Sequence, residues 1–253
     1  MKFIGIIPAR YASTRFPGKP LAMLGGQMVI ERVYRQVEGM FDAVVVATDD
    51  ERIETAVKGF GGRVVMTSPN HKSGTDRCFE ALQKVGADQY DVVVNIQGDE
   101  PFIQPSQLEA VRSCFDDEST DIATLVKPFT KADGWAALEN PNSPKVVVNK
   151  NMEAMYFSRS VIPYFRGKEK DEWLENHTYY KHIGLYAYRR DVLAEITALK
   201  QGELEKVESL EQLRWLENGY TIKVATTDVE TIGIDTPEDL QRAELFLSKQ
   251  VGA

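Results

Sequence analysis

"DVVVNIQGDEP" (Asp91–Pro101) holds the feature that decides the fold. Three consecutive valines and an isoleucine within six residues make an apolar run too short for a helix of ordinary length, and they end in a polar turn with Gly98 and Asp99. A strand with no polar alternation is covered on both faces, which is the signature of a parallel sheet between helices. The same pattern occurs upstream: Phe3–Ile7 and "AVVVATDD" (Ala43–Asp50) are apolar runs with charged or polar residues after their ends, and "RVVM" follows the "GFGG" break. Between them, "MVIERVYRQVE" places Val29, Ile30, Val33 and Val37 on one helical face, a short helix runs to Lys58, and residues 76–84 have helical character. Strands alternating with helices predict an α/β fold: a mostly parallel sheet with helices on both faces. Ligands of such sheets lie beyond the carboxyl ends of the strands. The loop after the first strand, "TDD" and "QGDEP" are therefore expected at one crevice.

The second half is less regular. "IATLV", "KVVVN", "AMYFSR" and "HIGLYAYRR" read as strands, some of them antiparallel, around an aromatic and charged excursion over 163–180. Helices follow near 191–199 and 208–217, then the strand "TIKVATT". A last helix starts at Thr236, with Pro237 in its first turn and Glu238 and Asp239 behind. The chain reads as one domain over 1–253: a regular α/β half to about 125, an insert over about 126–220 forming a smaller antiparallel and irregular subdomain, and a return to the main sheet over about 221–253.

Composition narrows the function. With 253 residues, 43% hydrophobic, and a net charge of −8, this is a globular chain without the basic face of a nucleic-acid binder. Two distant cysteines, Cys78 and Cys114, fit a reducing compartment, and the N-terminus "MKFIGIIPAR" lacks the long apolar region of a signal peptide. No stretch approaches the ~18 apolar residues of a membrane span. A cytoplasmic location is the expectation.

Against that acidic background, "IIPARYASTRFPGKPL" (Ile6–Leu21) sets Arg10, Arg15 and Lys19 in one loop after the first strand. Guanidinium groups bind phosphate oxygens in pairs and lysine adds a compact charge, so a multiply charged anion is the natural ligand. Solvated surface cations are the alternative, but Pro17 and Pro20 stiffen the segment around Lys19. It is not a P-loop, because Ser13 stands at the first glycine position and Pro20 at the hydroxyl position. "GFGGRV" is not a dinucleotide fingerprint either, since it fails at Val64 and follows a helix. Asp99 and Asp235, each after an apolar run, make a candidate pair for Mg²⁺, which favours one or two carboxylates plus substrate oxygens and water. Ordinary turn and capping carboxylates are the alternative for each alone. His71, His177 and His182 lack zinc spacing.

Nine segments in order over the whole chain carry a resemblance: "IIPARYASTRFPGKPL", "VATDD", "HKSGTDR", "NIQGDEP", "NPNSPKVVV", "YFSRSVIP", "YKHIGLYAYR", "LEQLRWLENG" and "GIDTPEDL". In these the chain resembles the 3-deoxy-manno-octulosonate cytidylyltransferases, or CMP-Kdo synthetases. Gln27, where a proline is frequent, and Pro144, where a smaller residue is, depart from the pattern away from the expected chemistry.

The resemblance implies a Rossmann-like nucleotidyltransferase that joins CTP and Kdo to give CMP-Kdo and pyrophosphate for lipopolysaccharide synthesis, with Mg²⁺, as a cytoplasmic homodimer. It implies that Arg10, Arg15 and Lys19 hold the triphosphate and that Asp99 and Asp235 hold the metal. Pro8, Ala9, Ser73, Gly74, Thr75 and Arg77 join Arg10 and Lys19 around CTP, although a plain polar turn capping a helix explains "HKSGTDR" equally well. Gln97, Arg159, His182, Tyr186, Glu211 and Gln212 would bind the sugar, with a satisfied core histidine as the alternative for His182. The three tryptophans, Trp135, Trp173 and Trp215, read as packing. Substrate alternatives are an 8-amino variant of Kdo, or sialic acid, whose enzymes have a loop like "GGSKGIP" where this chain has "YASTRFP". From a different class, a non-catalytic nucleotide-binding module would bind without turnover.

Overall fold

A computed structural model describes residues 1–230 and 232–251. The chain parts into two compact units, Met1–Pro105 with the segment from Thr231 onward, and Ser106–Glu230. The sequence pattern put boundaries near 125 and 220 instead. The strand at 222–226 stays with the second unit because it pairs there in parallel with the strand at 122–128.

In the first unit the strands are β1 (Phe3–Ala9), the two-residue hairpin strands β2 (Met23–Leu24) and β3 (Gln27–Met28), β4 (Ala43–Thr48), β5 (Val64–Met66) and β6 (Val92–Asn95). β1 lies between β6 and β4, and β5 pairs with β4, all parallel. Every residue of β4 and β6 is buried, as the unbroken valine runs require. The helices α1 (Val29–Val37), α2 (Glu51–Gly59) and α3 (Gly74–Val85) supply the cover. α1 buries Val29, Ile30, Val33 and Val37, the face read from its spacing, with Tyr34 beside them. The C-terminal helix Pro237–Val251 closes a small core in which Leu24, Val29, Phe102, Ile234 and Ala243 meet.

The second unit contains β7 (Ile122–Pro128), β8 (Lys145–Val148), β9 (Ala154–Ser158), β10 (Tyr180–Arg189) and β11 (Ile222–Thr226). β10 runs antiparallel to β7 and to β8, β8 antiparallel to β9, and β11 parallel to β7. The four strands read from the broken pattern of the second half are β7, β8, β9 and β10, and their pairings with one another are antiparallel. The predicted helix at 208–217 is instead two, Glu203–Glu208 and Gln212–Glu217. The break is at Ser209, which takes a left-handed φ of 52°, while the preceding Glu208 carboxylate accepts from the Ser158 hydroxyl and the Arg159 amide. Tertiary hydrogen bonds override the helical spacing here.

Candidate active site

The loop after β1 is held in shape by its own backbone. The Gly18 amide donates to the Tyr11 carbonyl at 2.9 Å, and Ser13 Oγ accepts from the Phe16 amide at 3.3 Å. Gly18 has φ 72°, and a Cβ there would lie 3.1 Å from the Tyr11 ring, so glycine is required twice over. The Arg52 guanidinium covers the same ring, 3.2 Å from its centroid. Lys19 then opens a short 3₁₀ turn whose Pro20 is buried. The stiffness inferred from the two prolines thus has a specific form: a closed loop anchored on Tyr11, with Lys19 at its inner end.

The facing wall comes from the end of β6. The Ile96 amide still donates to Ile6 O at 2.9 Å, continuing the ladder with β1. Two residues later a Cβ on Gly98 would stand 2.8 Å from the Pro8 carbonyl oxygen, closer than any side chain tolerates. Glycine lets the Gln97–Asp99 turn press against the end of β1. The carbonyl of Asp99 in turn accepts from the Ile234 amide at 2.9 Å, and Ile234 is buried in the core under the C-terminal helix. That bond carries Asp235 beside Asp99 across more than a hundred residues of sequence.

Asp235 does not cap the C-terminal helix, because its neighbours do the capping. Thr236 Oγ1 accepts from the Asp239 amide at 3.2 Å, and Asp239 Oδ2 accepts from the amides of Asp235 and Thr236 at 3.0 and 2.9 Å. Burial pushes the Asp239 carboxyl up, but Arg242 and these amides outweigh it and hold it below the usual range.

The result is one cluster. Lys19 Nζ lies 2.6 Å from Asp99 Oδ2 and 3.2 Å from Asp235 Oδ1, and Arg15 Nη1 lies 3.2 Å from Asp235 Oδ2. The cluster lines a cavity of about 450 Å³ with Pro8, Ala9, Arg10 and Gln97. All five residues predicted to be catalytic, Arg10, Arg15, Lys19, Asp99 and Asp235, line this one crevice; the strand-end rule anticipated the first loop and "QGDEP" there, whereas no residue of "TDD" is in the lining and Asp49 pairs with Arg77.

The "HKSGTDR" segment is a helix cap, with a further role. Ser73 Oγ accepts from the Asp76 amide at 3.1 Å and the Asp76 carboxylate accepts from the Ser73 amide, so α3 starts at Gly74 with Thr75 buried behind it. Gly74 lies against Pro8, in ordinary contact. Arg10 Nη2 donates to the His71 carbonyl, which ties this segment to the cationic loop. Burial and the nearby Arg77 hold the Arg10 guanidinium below its usual value, partly offset by Asp49 and Asp76. His71 is fixed by Glu80, whose carboxylate also accepts from the Ser68 amide and pairs with Lys84. Burial works against that charge, but Lys84, the Ser68 amide and His71 prevail and bring Glu80 down to about 2.

Arg77 corrects the sequence reading. It is wholly buried, with Nη1 donating to Thr67 Oγ1 at 2.6 Å and Nη2 to Asp49 Oδ2 at 3.0 Å. Its charge is committed to Asp49 at the end of β4, where it braces the wall of the crevice and does not line it. Asp49, His71 and Glu80 are the supports that motif reasoning missed. The acidic "TDD" end of β4 was visible, but pairing with Arg77 across 28 residues had no local signal.

The remaining predicted residues, apart from Gln97, lie in the second unit, where four of them share one neighbourhood. The β10 ladder slips between Ile183 and Tyr186, yet His182 and Tyr186 oppose Val126 and Thr124, which are two apart and so on one face. Their rings are 5.3 Å apart, and Tyr186 meets Trp215 edge-on at 5.1 Å. His182 Nε2 is 3.0 Å from Thr124 Oγ1, and that hydroxyl lies 2.9 Å from the Leu185 carbonyl. The same hydroxyl lies 3.2 Å from the Ile183 carbonyl, and when its one proton goes to either carbonyl it accepts from a His182 ring protonated at Nε2. Burial lowers its pKa to about 4, which keeps it neutral. Gln212 and Trp215 are one helical turn apart and buried, and Gln212 Nε2 and Trp215 Nε1 have no hydrogen-bond partner among the described residues. Glu211 stands beside them at the cap of the same helix, near Arg214.

Arg159 is held by backbone. Its Nε donates to Glu208 O at 2.6 Å, Nη1 to Pro141 O at 2.9 Å and Nη2 to Ser209 O at 3.2 Å. Lys145, wholly buried, donates to the carbonyls of Asn140 and Arg159 at 3.0 and 2.7 Å. Trp215 is core, as read, and also lends an unpaired donor.

A parallel α/β sheet whose strand ends gather cations and two carboxylates defines a phosphate-handling protein of the nucleotide-binding kind. The chain belongs to the cytidylyltransferase family, whose model matches residues 4–226. It is 73% identical, over the full length of both chains, to the 3-deoxy-manno-octulosonate cytidylyltransferase of Phocaeicola vulgatus. Identity to the enzyme of that name from Bacteroides thetaiotaomicron is 72%, covering 99% of this chain and 100% of the relative. Among solved structures it is similar to a CMP:2-keto-3-deoxy-manno-octonic acid synthetase complexed with CTP, with a TM-score of 0.89 and 40% identity over 99% of this chain and 100% of that one. Among the described residues, no helix is long and apolar enough to cross a membrane.

Proposed function

We propose that this protein transfers CMP from CTP to Kdo, releasing pyrophosphate, and so supplies the activated sugar acid for lipopolysaccharide synthesis in the cytoplasm. The observation that carries the reading is the convergence of Lys19, Asp99 and Asp235 in one crevice, in a chain 73% identical to a relative bearing that activity in its name.

The residues fit a magnesium ion. Two hard carboxylate oxygens point at one position, which the Lys19 ammonium marks, and magnesium takes one or two carboxylates with water and phosphate oxygens. Asp99 and Asp235 would hold it. When bound, it polarises phosphate oxygens and makes a nearby hydroxyl more acidic. Arg10, Arg15 and Lys19 supply fixed positive charge for the triphosphate, and that charge counts most as negative charge builds on the departing pyrophosphate. Pro8 and Ala9 line the nucleotide side of the cavity, Ser73, Gly74 and Thr75 start α3 with Gly74 against Pro8, and Arg77 acts from behind through Asp49.

For the sugar acid, the second unit offers what such a ligand needs. Arg159 has guanidinium N–H groups beyond the three committed to carbonyls, which suits a carboxylate. Gln212 offers an unpaired donor to sugar hydroxyls, with His182, Tyr186 and Glu211 as further partners. A homodimer is part of the reading. The test is purified protein with CTP and Mg²⁺, following pyrophosphate, with Kdo, 8-amino-Kdo and sialic acid in separate arms. Release with Kdo well above the other arms supports the proposal, and none with Kdo overturns it.

A further inference from the structure

Lys19 stands where a small hard cation would stand. Its ammonium is within hydrogen-bond distance of both carboxylates, is largely shielded at 15% side-chain exposure, and is joined by Arg15 on the outer oxygen of Asp235. Two carboxylates at −1 each and two cations at +1 each sum to zero, so the four-residue cluster is already electrically balanced, and Arg10 adds a further positive charge to the same crevice. Among the described residues there is no group of three or more His, Cys, Asp or Glu side chains that could hold a metal ion. A divalent ion entering the free protein would meet two ligands and two repelling cations.

We propose that Lys19 is a tethered placeholder, filling the Asp99–Asp235 position in the free protein and passing to phosphate oxygens when a nucleoside triphosphate enters, which opens the carboxylates to the divalent cation. Metal and nucleotide then bind as a coupled pair. The backbone suits such an exchange: Gly18 locked on Tyr11 and buried Pro20 fix the Lys19 main chain, while its four-carbon stem stays free to swing. Arg15, at 66% exposure, is free to follow. The inference rests on the function proposed above, because it takes a nucleoside triphosphate as the incoming ligand.

Mn²⁺ titration followed by electron paramagnetic resonance, without Kdo so that nothing turns over, tests it. The native protein without nucleotide is expected to bind Mn²⁺ only at a dissociation constant on the order of millimolar. Lys19→Met is expected to tighten that binding at least tenfold, equal to about 1.4 kcal/mol, and Lys19→Met combined with Asp99→Asn to lose the gain. Calorimetry with CTP alone should show the opposite sign, weaker binding to Lys19→Met. Low-micromolar Mn²⁺ binding by the native protein without nucleotide overturns the proposal, even where the variant fails to fold. A folded Lys19→Met with unchanged Mn²⁺ affinity overturns it as well. Turnover of native protein with CTP and Kdo reports separately on the function: turnover with unchanged metal affinity in Lys19→Met sinks the placeholder alone.

Discussion

Gly98→Ala adds one methyl group at the tightest point of the crevice. The new Cβ would stand 2.8 Å from Pro8 O, about 0.6 Å inside ordinary contact, and both partners are backbone. Neither can rotate away, so the Gln97–Asp99 turn must retreat from β1 by several tenths of an ångström. Overpacking of this kind costs about 1–3 kcal/mol, and for a chain of this size each kcal/mol lowers the melting temperature by about 2–4 °C. The retreat also carries Asp99 away from Lys19, now 2.6 Å apart, so turnover should fall further than stability. Gly59→Ala is the control, since a Cβ there meets nothing within 4 Å and the residue ends α2. It should leave the melting temperature level or slightly raised. Calorimetric melting with pyrophosphate release on the same preparations decides the matter. A Gly98→Ala protein that melts within a degree of the native chain and turns over normally would show that the wall is not built by this contact.

Three further outcomes follow from the supporting residues. Arg77→Met strands Asp49 and should cost about 3–5 kcal/mol of unfolding free energy, read by urea denaturation; a loss of CTP affinity at unchanged stability would instead return Arg77 to the nucleotide site. His182, lowered to about 4 by burial, takes up its proton more readily unfolded than folded, so its contribution to stability is complete above about 6.5 and is lost as pH falls toward 4. His182→Gln should flatten the melting curve against pH across that window and leave pH 8 little changed, and an unaltered acid limb would contradict it. Lys145→Met removes the donor to Arg159 O and should raise KM for Kdo several-fold more than KM for CTP, which steady-state kinetics resolves.

Much of the first unit was legible because its causes are local. The valine runs 44–46 and 92–94 read as strands covered on both faces, the strand-end rule then placed the first loop with Asp99, and the metal-pair reading added Asp235. Bonds between residues far apart in sequence left no such trace. Arg77 looks like a free cation in a polar turn until Asp49 and Thr67 are seen around it. The break at Ser209 was hidden because the residues around it suit a helix, and what stops the helix is a carboxylate drawn to Ser158 and Arg159 some 50 residues upstream. Lys145 likewise looks like an ordinary strand lysine, yet it is buried beneath the Arg159 backbone.

The central claim is that Asp99 serves the reaction in this crevice rather than the fold. The direct measurement is pyrophosphate release from CTP and Kdo by Asp99→Asn beside the native protein, with melting recorded on both. Rate loss of at least about a hundredfold at a melting temperature near native is the predicted result. Native-like turnover by the folded variant would contradict the claim.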